Sequence, residues 1–140
     1  MKEKSLVLVK PDGISRGLLP HIIQNILDSD LLILEQKFIS ATEKQCREHY
    51  NVKARNYGAT EEQIIDYLSK SYIKDHNICA MVVMGEKAII RMLEIKKVVR
   101  DNFTIDTLEK CQEEGRALHN VMHSSETPEE AQEEIKVWLR

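Results

Sequence analysis

Aromatic residues make up only 5% of the 140 residues, too few for the stacking platforms on which RNA-binding sheets lay their bases. Three cysteines, Cys46, Cys79 and Cys111, are odd in number and far apart in the chain, so neither a disulfide framework nor a paired-cysteine metal site is built from them. They read as buried or idle thiols. Five glycines and three prolines exclude a fibrous or low-complexity chain. The apolar runs at 6–9, 31–34 and 78–84 all fall well short of the roughly 20 residues that cross a bilayer. Residues 1–5 lead straight into a strand-like run without the apolar segment and small-residue cleavage site of a secretory signal, so a cytoplasmic protein is expected. A formal net charge of −3 supplies no global field for DNA, RNA or acidic lipid. Neither GxxxxGK[ST] nor GxGxxG occurs, so a bound nucleotide would have to be held by side chains rather than by a glycine-rich cradle.

What is present suits a single soluble domain over 1–140: 42% hydrophobic and 31% charged residues, in a chain of the length that usually folds as one unit. Ser5-Leu-Val-Leu-Val9 is a β-prone run that reaches Lys10 and stops at the turn signal Pro11-Asp12-Gly13. Leu19, Ile22, Ile23, Ile26 and Leu27 fall on one helical stripe. Residues 32–39 read as a second strand. Thr42-Glu-Lys-Gln45 and Thr60-Glu-Glu-Gln63 carry the residues of capping boxes and open two further helices, the second continuing through Ile64, Ile65 and Leu68. The apolar run 78–84 predicts a buried strand ended by Gly85, and 86–93 a helix. Residues 94–114 are ambiguous, and 117–122 form a weak strand candidate. Thr127-Pro128-Glu129-Glu130 combines an N-cap, proline at the first helical position and glutamate at the third, starting a helix that runs to about 139. This order predicts an α+β, ferredoxin-like βαββαβ fold with an antiparallel four-stranded sheet and surrounding helices.

Two histidines, His119 and His123, stand four apart and would share a helix face, but no third ligand accompanies them and metal binding is disfavoured. His123 lies just before the well-capped last helix, and an imidazole with a reference pKa near 6.5 is a competent nucleophile at neutral pH. Leu8-Val9-Lys10-Pro11-Asp12-Gly13 with Arg16-Gly17, then Gly115-Arg116, and Asn120-Val-Met-His123-Ser-Ser-Glu126, followed by the helix 129–138, resemble the nucleoside diphosphate kinase family over most of the chain.

The resemblance implies transfer of the γ-phosphoryl group of a nucleoside triphosphate to His123 and on to a nucleoside diphosphate. Mg²⁺ is expected to be held by the nucleotide phosphates, with no protein metal site. It implies that Glu134 orients His123, that Lys10 contacts phosphate at the end of the first strand, and that Tyr50, Arg100, Arg116 and Asn120 contact the nucleotide. Ser125 would assist His123 and Glu134, and Glu126, where the family more often has aspartate, would keep a role at the helix start. The family's second phosphate-binding arginine falls on Leu93, and Arg91, two residues earlier, is the nearest candidate for it. Lys96 and Lys97 could stand in electrostatically. Ser124 is expected to narrow access to His123. The loop before Arg100 is shorter than in the family, which favours a homodimer or dimer-based oligomer. The sequence does not identify residues for the base near 56–68. The alternative reading is a catalytically weakened nucleotide-binding or scaffold protein of the same fold. A ferredoxin-like RNA-binding module is a weaker one.

Overall fold

The computed structural model describes every residue except Met1, Ala59 and Tyr72, together with the side chains of all but 54–57, 64 and 67 among the rest. The expected Ile64 side chain therefore lies outside the described residues. Four strands, β1 (Lys2–Val9), β2 (Leu32–Ser40), β3 (Asn77–Glu86) and β4 (Met122–Ser124), form one sheet in the order β2-β3-β1-β4. Every pairing is antiparallel. The helices are α1 (Pro11–Ser15), α2 (Leu19–Asp28), α3 (Glu43–Tyr57), α4 (Glu61–Lys70), α5 (Ala88–Phe103), α6 (Leu108–Glu114) and α7 (Pro128–Leu139). The predicted antiparallel α+β architecture is the one observed.

Both faces of the sheet are covered, which is why the central strands β1 and β3 read as continuous apolar runs rather than alternating ones. Val7, Val9, Cys79, Met81 and Val83 point to one face, where Ile22 and Ile26 of α2 and Met92, Ile95 and Val99 of α5 close over them. Leu6, Leu8, Ile78 and Ala80 point to the other, under Cys46 of α3, Leu68 of α4 and Trp138 of α7. A sheet covered on both faces offers no open aromatic platform, which removes the physical basis of the RNA-binding reading. All three cysteines are buried and unpaired, and burial pushes the Cys46 and Cys79 thiols up to about 11, as idle thiols require.

Several boundaries differ from expectation for local reasons. Pro11-Asp12-Gly13 opens a short helix instead of a plain turn, with proline in its first turn. Gly85 lies within β3 opposite Glu3, and a Cβ there would come within 2.5 Å of the Leu31 side chain, so glycine allows a close approach and does not terminate the strand. The ambiguous stretch divides into the rest of α5 and then α6, capped by Thr107 accepting from the Lys110 N–H. The strand expected at 117–122 is instead the three-residue β4, with 117–120 irregular. The capping boxes at Thr42 and Thr60 both form. No described helix is long and apolar enough to cross a membrane.

Candidate active site

The site is built on the corner where β1 ends. Lys10 is extended and donates its N–H to the Val121 carbonyl at 2.8 Å. Asp12 Oδ2 accepts the Val121 N–H at 3.0 Å. Gly13 sits so close beneath that a Cβ would meet the Val121 carbonyl oxygen at 2.9 Å. These contacts hold Val121 at φ 74°, a left-handed conformation that costs a β-branched residue about 1–3 kcal/mol. The kink turns Asn120 toward β1, so that Lys10 Nζ donates to Asn120 Oδ1 at 2.6 Å. It also delivers His123 onto β4 directly opposite Leu8.

Alternation along β4 then decides which side chain faces which layer. His123 shares the side of Leu8, toward α3 and α7, and Ser124 shares the side of Val7 in the hydrocarbon layer. The expectation that Ser124 narrows access to His123 is therefore incorrect. His123 Nε2 lies 2.7 Å from Glu134 Oε2, and Ser125 Oγ donates to the other oxygen, Oε1, also at 2.7 Å. Ser125 is fixed in turn, because its Oγ accepts the Leu6 N–H at 3.0 Å. Glu134 is 0% exposed and His123 5%.

Sequence reasoning missed His49 as a member of this cluster. Its Nδ1 accepts from Trp138 Nε1–H at 3.1 Å and lies 3.3 Å from Glu134 Oε2. Its ring stands edge-on to that of His123 at 4.7 Å between centroids. The signal was available: Cys46, His49, Tyr50 and Lys53 occupy i, i+3, i+4 and i+7 of α3, the spacing of an inward-facing stripe with polar residues where apolar ones are usual. Tyr50 stacks edge-on against His49 at 5.3 Å, beside the cluster. Its hydroxyl lies 3.5 Å from Ser71 Oγ.

The electrostatics follow from burial among cations. Burial first, then the charges of Lys53, Lys10, Lys96 and Arg100, hold His123 well below its usual pKa. Burial, then His123, does the same to His49, while burial raises Glu134. A dry His–Glu ion pair is thus disfavoured. Accordingly, we assign His123 as a neutral ring that donates its Nε2 proton to Glu134, which leaves a lone pair on Nδ1. Lys10 is pushed down to about 7 by burial and by Arg100, and Lys96 to about 8 by burial, Arg100 and Lys53. Arg100 donates Nε–H and Nη2–H to the Met122 carbonyl at 3.1 and 2.6 Å. Lys53 pairs with Glu126 at 3.2 Å and Glu130 at 3.1 Å, so Glu126 serves an ion pair at the start of α7.

Lys10, Arg100, Asn120, His123 and Glu134 are therefore gathered in one place. Two predicted residues are not. Arg91 donates to the Ser29 carbonyl at 2.7 Å, at the C-terminal end of α2, because the helical turn carries it to the start of α5, nine residues from Arg100. Arg116 is engaged by Asp106 through both terminal nitrogens, at 2.6 and 3.0 Å, and by Glu114; this holds Asp106 far below the usual carboxylate range. His119 stands on irregular backbone, its N–H donated to Asp106, so the helical His119 and His123 face does not exist.

Among the described residues, His49, His123 and Glu134 are the group whose ligand atoms lie close enough for a metal ion. Two of its three atoms are imidazole nitrogens, one of them the protonated His123 Nε2 that donates to Glu134 and the other His49 Nδ1, which already accepts from Trp138. Such a set does not suit a hard cation, which prefers oxygen ligands. The cationic surroundings fit a metal that arrives on an anionic ligand.

A family model described as nucleoside diphosphate kinase matches residues 3–140. The nucleoside diphosphate kinase of Pyrobaculum aerophilum is 28% identical, with 99% of this chain and 95% of that protein covered. That of Thermoplasma acidophilum is 30% identical, with 99% and 89% covered. Among solved structures, a transition-state mimic of the Borrelia burgdorferi enzyme with bound vanadate and ADP superposes with a TM-score of 0.82 at 22% identity, covering 99% of this chain and 88% of that one.

Proposed function

The chain belongs to the nucleoside diphosphate kinase family, and from that premise we propose that His123 Nδ1 carries the phosphoryl group between the two half-reactions. The activity is phosphoryl transfer between nucleotides. In the first half, an Nδ1–P bond forms as the bond between the γ-phosphorus and its bridging oxygen breaks, and a nucleoside diphosphate leaves with the bridging electron pair. In the second, a terminal oxygen of the acceptor diphosphate attacks the phosphohistidine and the Nδ1–P bond breaks. Little acid–base chemistry is required, because such transfers depend on in-line positioning and on charge stabilisation of the equatorial oxygens.

The observation that carries this reading is the buried Nε2 to Glu134 contact at 2.7 Å. With Nε2 anchored, the nucleophilic lone pair is confined to Nδ1. The ring becomes cationic as Nδ1 bonds to phosphorus, and the Glu134 carboxylate stabilises that charge where water is absent. Lys10, held by Asn120, and Arg100, held by Met122, meet the phosphate oxygens, Arg100 with the planar donor set that matches them. Tyr50 borders the nucleotide on the α3 side. Enzymes of this family use a divalent metal; here it is Mg²⁺, bound through the phosphates, where it neutralises charge on the oxygens.

Residues 1–140 act as one functional domain in the cytoplasm. The active form is a homodimer or an oligomer of dimers, for which the edge strand β2 provides a surface: Leu32, Leu34 and Phe38 are exposed along it, Phe38 by 58%, the kind of apolar edge that monomers blunt. A scaffold without turnover gives no reason to bury a carboxylate against an oriented imidazole. With γ-labelled ATP and millimolar Mg²⁺, the wild type acquires acid-labile label that ADP removes, and His123→Ala acquires none. Equal labelling of the variant would falsify the assignment.

A further inference from the structure

Four cations act on His123, and three of them have a protein counterpart. Lys10 is bonded to Asn120, Arg100 to the Met122 carbonyl, and Lys53 to both Glu126 and Glu130. Lys96 is different. It is half-buried, yet among the described residues its ammonium makes no hydrogen bond and no ion pair. It stands four residues before Arg100 on α5, so the two side chains lie about one helical turn apart on one face. Arg100 grips the carbonyl of Met122, which places that face against the backbone that carries His123. The charge of Lys96 is felt at both Lys10 and His123. The nearby carboxylates that act on it, Glu126 and Glu130, are already occupied by Lys53. Its sequence neighbour Lys97 is exposed and paired with Asp101 at 2.7 Å.

A partly buried ammonium among three other cations, with no partner of its own, raises the energy of the empty site. An anion entering the cluster relieves that cost, because the same repulsion becomes attraction. Arg91 cannot supply it, being bonded to Ser29 at the far end of the helix.

We propose that Lys96 is a phosphate-contact residue, its ammonium bonding non-bridging oxygens of the nucleotide's phosphate chain beside those met by Lys10 and Arg100. This rests on the phosphoryl-transfer reading and adds to it a cation whose three rotatable donors need no fixed fork. It also explains why the site manages with one arginine.

The test compares Lys96→Met, which keeps the apolar stem, with Lys96→Arg and the control Lys97→Met. ADP with Mg²⁺ is titrated calorimetrically, adenosine binding is followed by ligand-observed NMR, and labelling by γ-labelled ATP is timed. Loss of a charge-assisted contact weakens ADP binding of Lys96→Met about tenfold or more and slows labelling, while adenosine binding is unchanged. Lys96→Arg recovers most of the loss, and Lys97→Met behaves as wild type. Should Lys96→Met unfold, Lys96→Gln takes its place under the same criteria. ADP binding within twofold of wild type overturns the proposal, and so does an equal loss for adenosine, which would mark a packing role. Absence of label on the wild type would instead refute the kinase reading, with the difference between ADP and adenosine still reporting on Lys96.

Discussion

The two faces of the sheet are both sealed by helices, but they bury different chemistry. Under α2 and α5 the described interior is chiefly hydrocarbon, Val7, Val9, Met81 and Val83 against Ile22, Ile26 and Met92, with only the small hydroxyls of Ser5 and Ser124 buried on that side. Under α3 and α7 the same depth of burial holds His49, His123, Glu130 and Glu134. The first arrangement contributes stability by removing apolar surface from water. The second gives up part of that gain, since each polar group must find a partner inside. What it obtains is a fixed imidazole in a dry cluster of charges. On that second face α7 supplies both kinds of group, its Trp138 packing with the apolar cluster of Leu6, Leu8 and Cys46 and its Glu134 anchoring the imidazole.

Substitutions should separate the two faces cleanly. Met92→Ala, in the hydrocarbon layer and 0% exposed, lowers unfolding stability by about 2–5 kcal/mol, measured by urea denaturation, with labelling per folded molecule unchanged; a matching loss of intrinsic rate would break the contrast. Glu134→Gln acts the opposite way. The amide can donate to Nε2 and so shift the ring proton to Nδ1, which cuts the labelling rate by about 10–100-fold. Unfolding stability holds or rises, because a buried carboxylate whose pKa burial has raised is no longer desolvated.

The pH dependence of ligand binding sharpens the picture further. Lys10 has a pKa lowered to about 7 in the protein, so it is charged below that pH and loses its proton above it. ADP affinity therefore falls by about tenfold between pH 6 and pH 8, as protonation linkage requires, after correction for the titration of ADP itself. Lys10→Arg flattens this component, and an equally steep profile in that variant would assign the titration elsewhere. The smallest effect is expected at Arg91→Ala, which removes one hydrogen bond to Ser29, worth about 0.5–1.5 kcal/mol of stability, and leaves ADP affinity untouched. A large loss of affinity there would return Arg91 to the site.

Much of the fold was legible because local signals agreed with the tertiary structure. The stripe of α2, the capping boxes at Thr42 and Thr60 and the start of α7 all formed where their residues stood. The strand β4 was not legible. Three residues give too little alternation to read, and the preceding backbone is set by Lys10 and Asp12, more than a hundred positions away. In the site, Lys10 and His123 were marked by motif, whereas the arginines could not be sorted by type alone. Arg100 reaches the site, while Arg91 and Arg116 meet nearer acceptors, a carbonyl and a carboxylate pair. His49 looked like any polar helix residue until its ring was seen between Glu134 and Trp138.

The amino-acid order by itself determined the helices, the two apolar central strands and the presence of one histidine ahead of a capped helix, because those depend on periodicity and on contacts within a few residues. Which cations face that histidine, which of its nitrogens is anchored and which side of the sheet it occupies were decided by the folded chain alone. Such choices depend on distances between segments remote in sequence, and on how a buried charge is satisfied by whatever group the fold brings within reach.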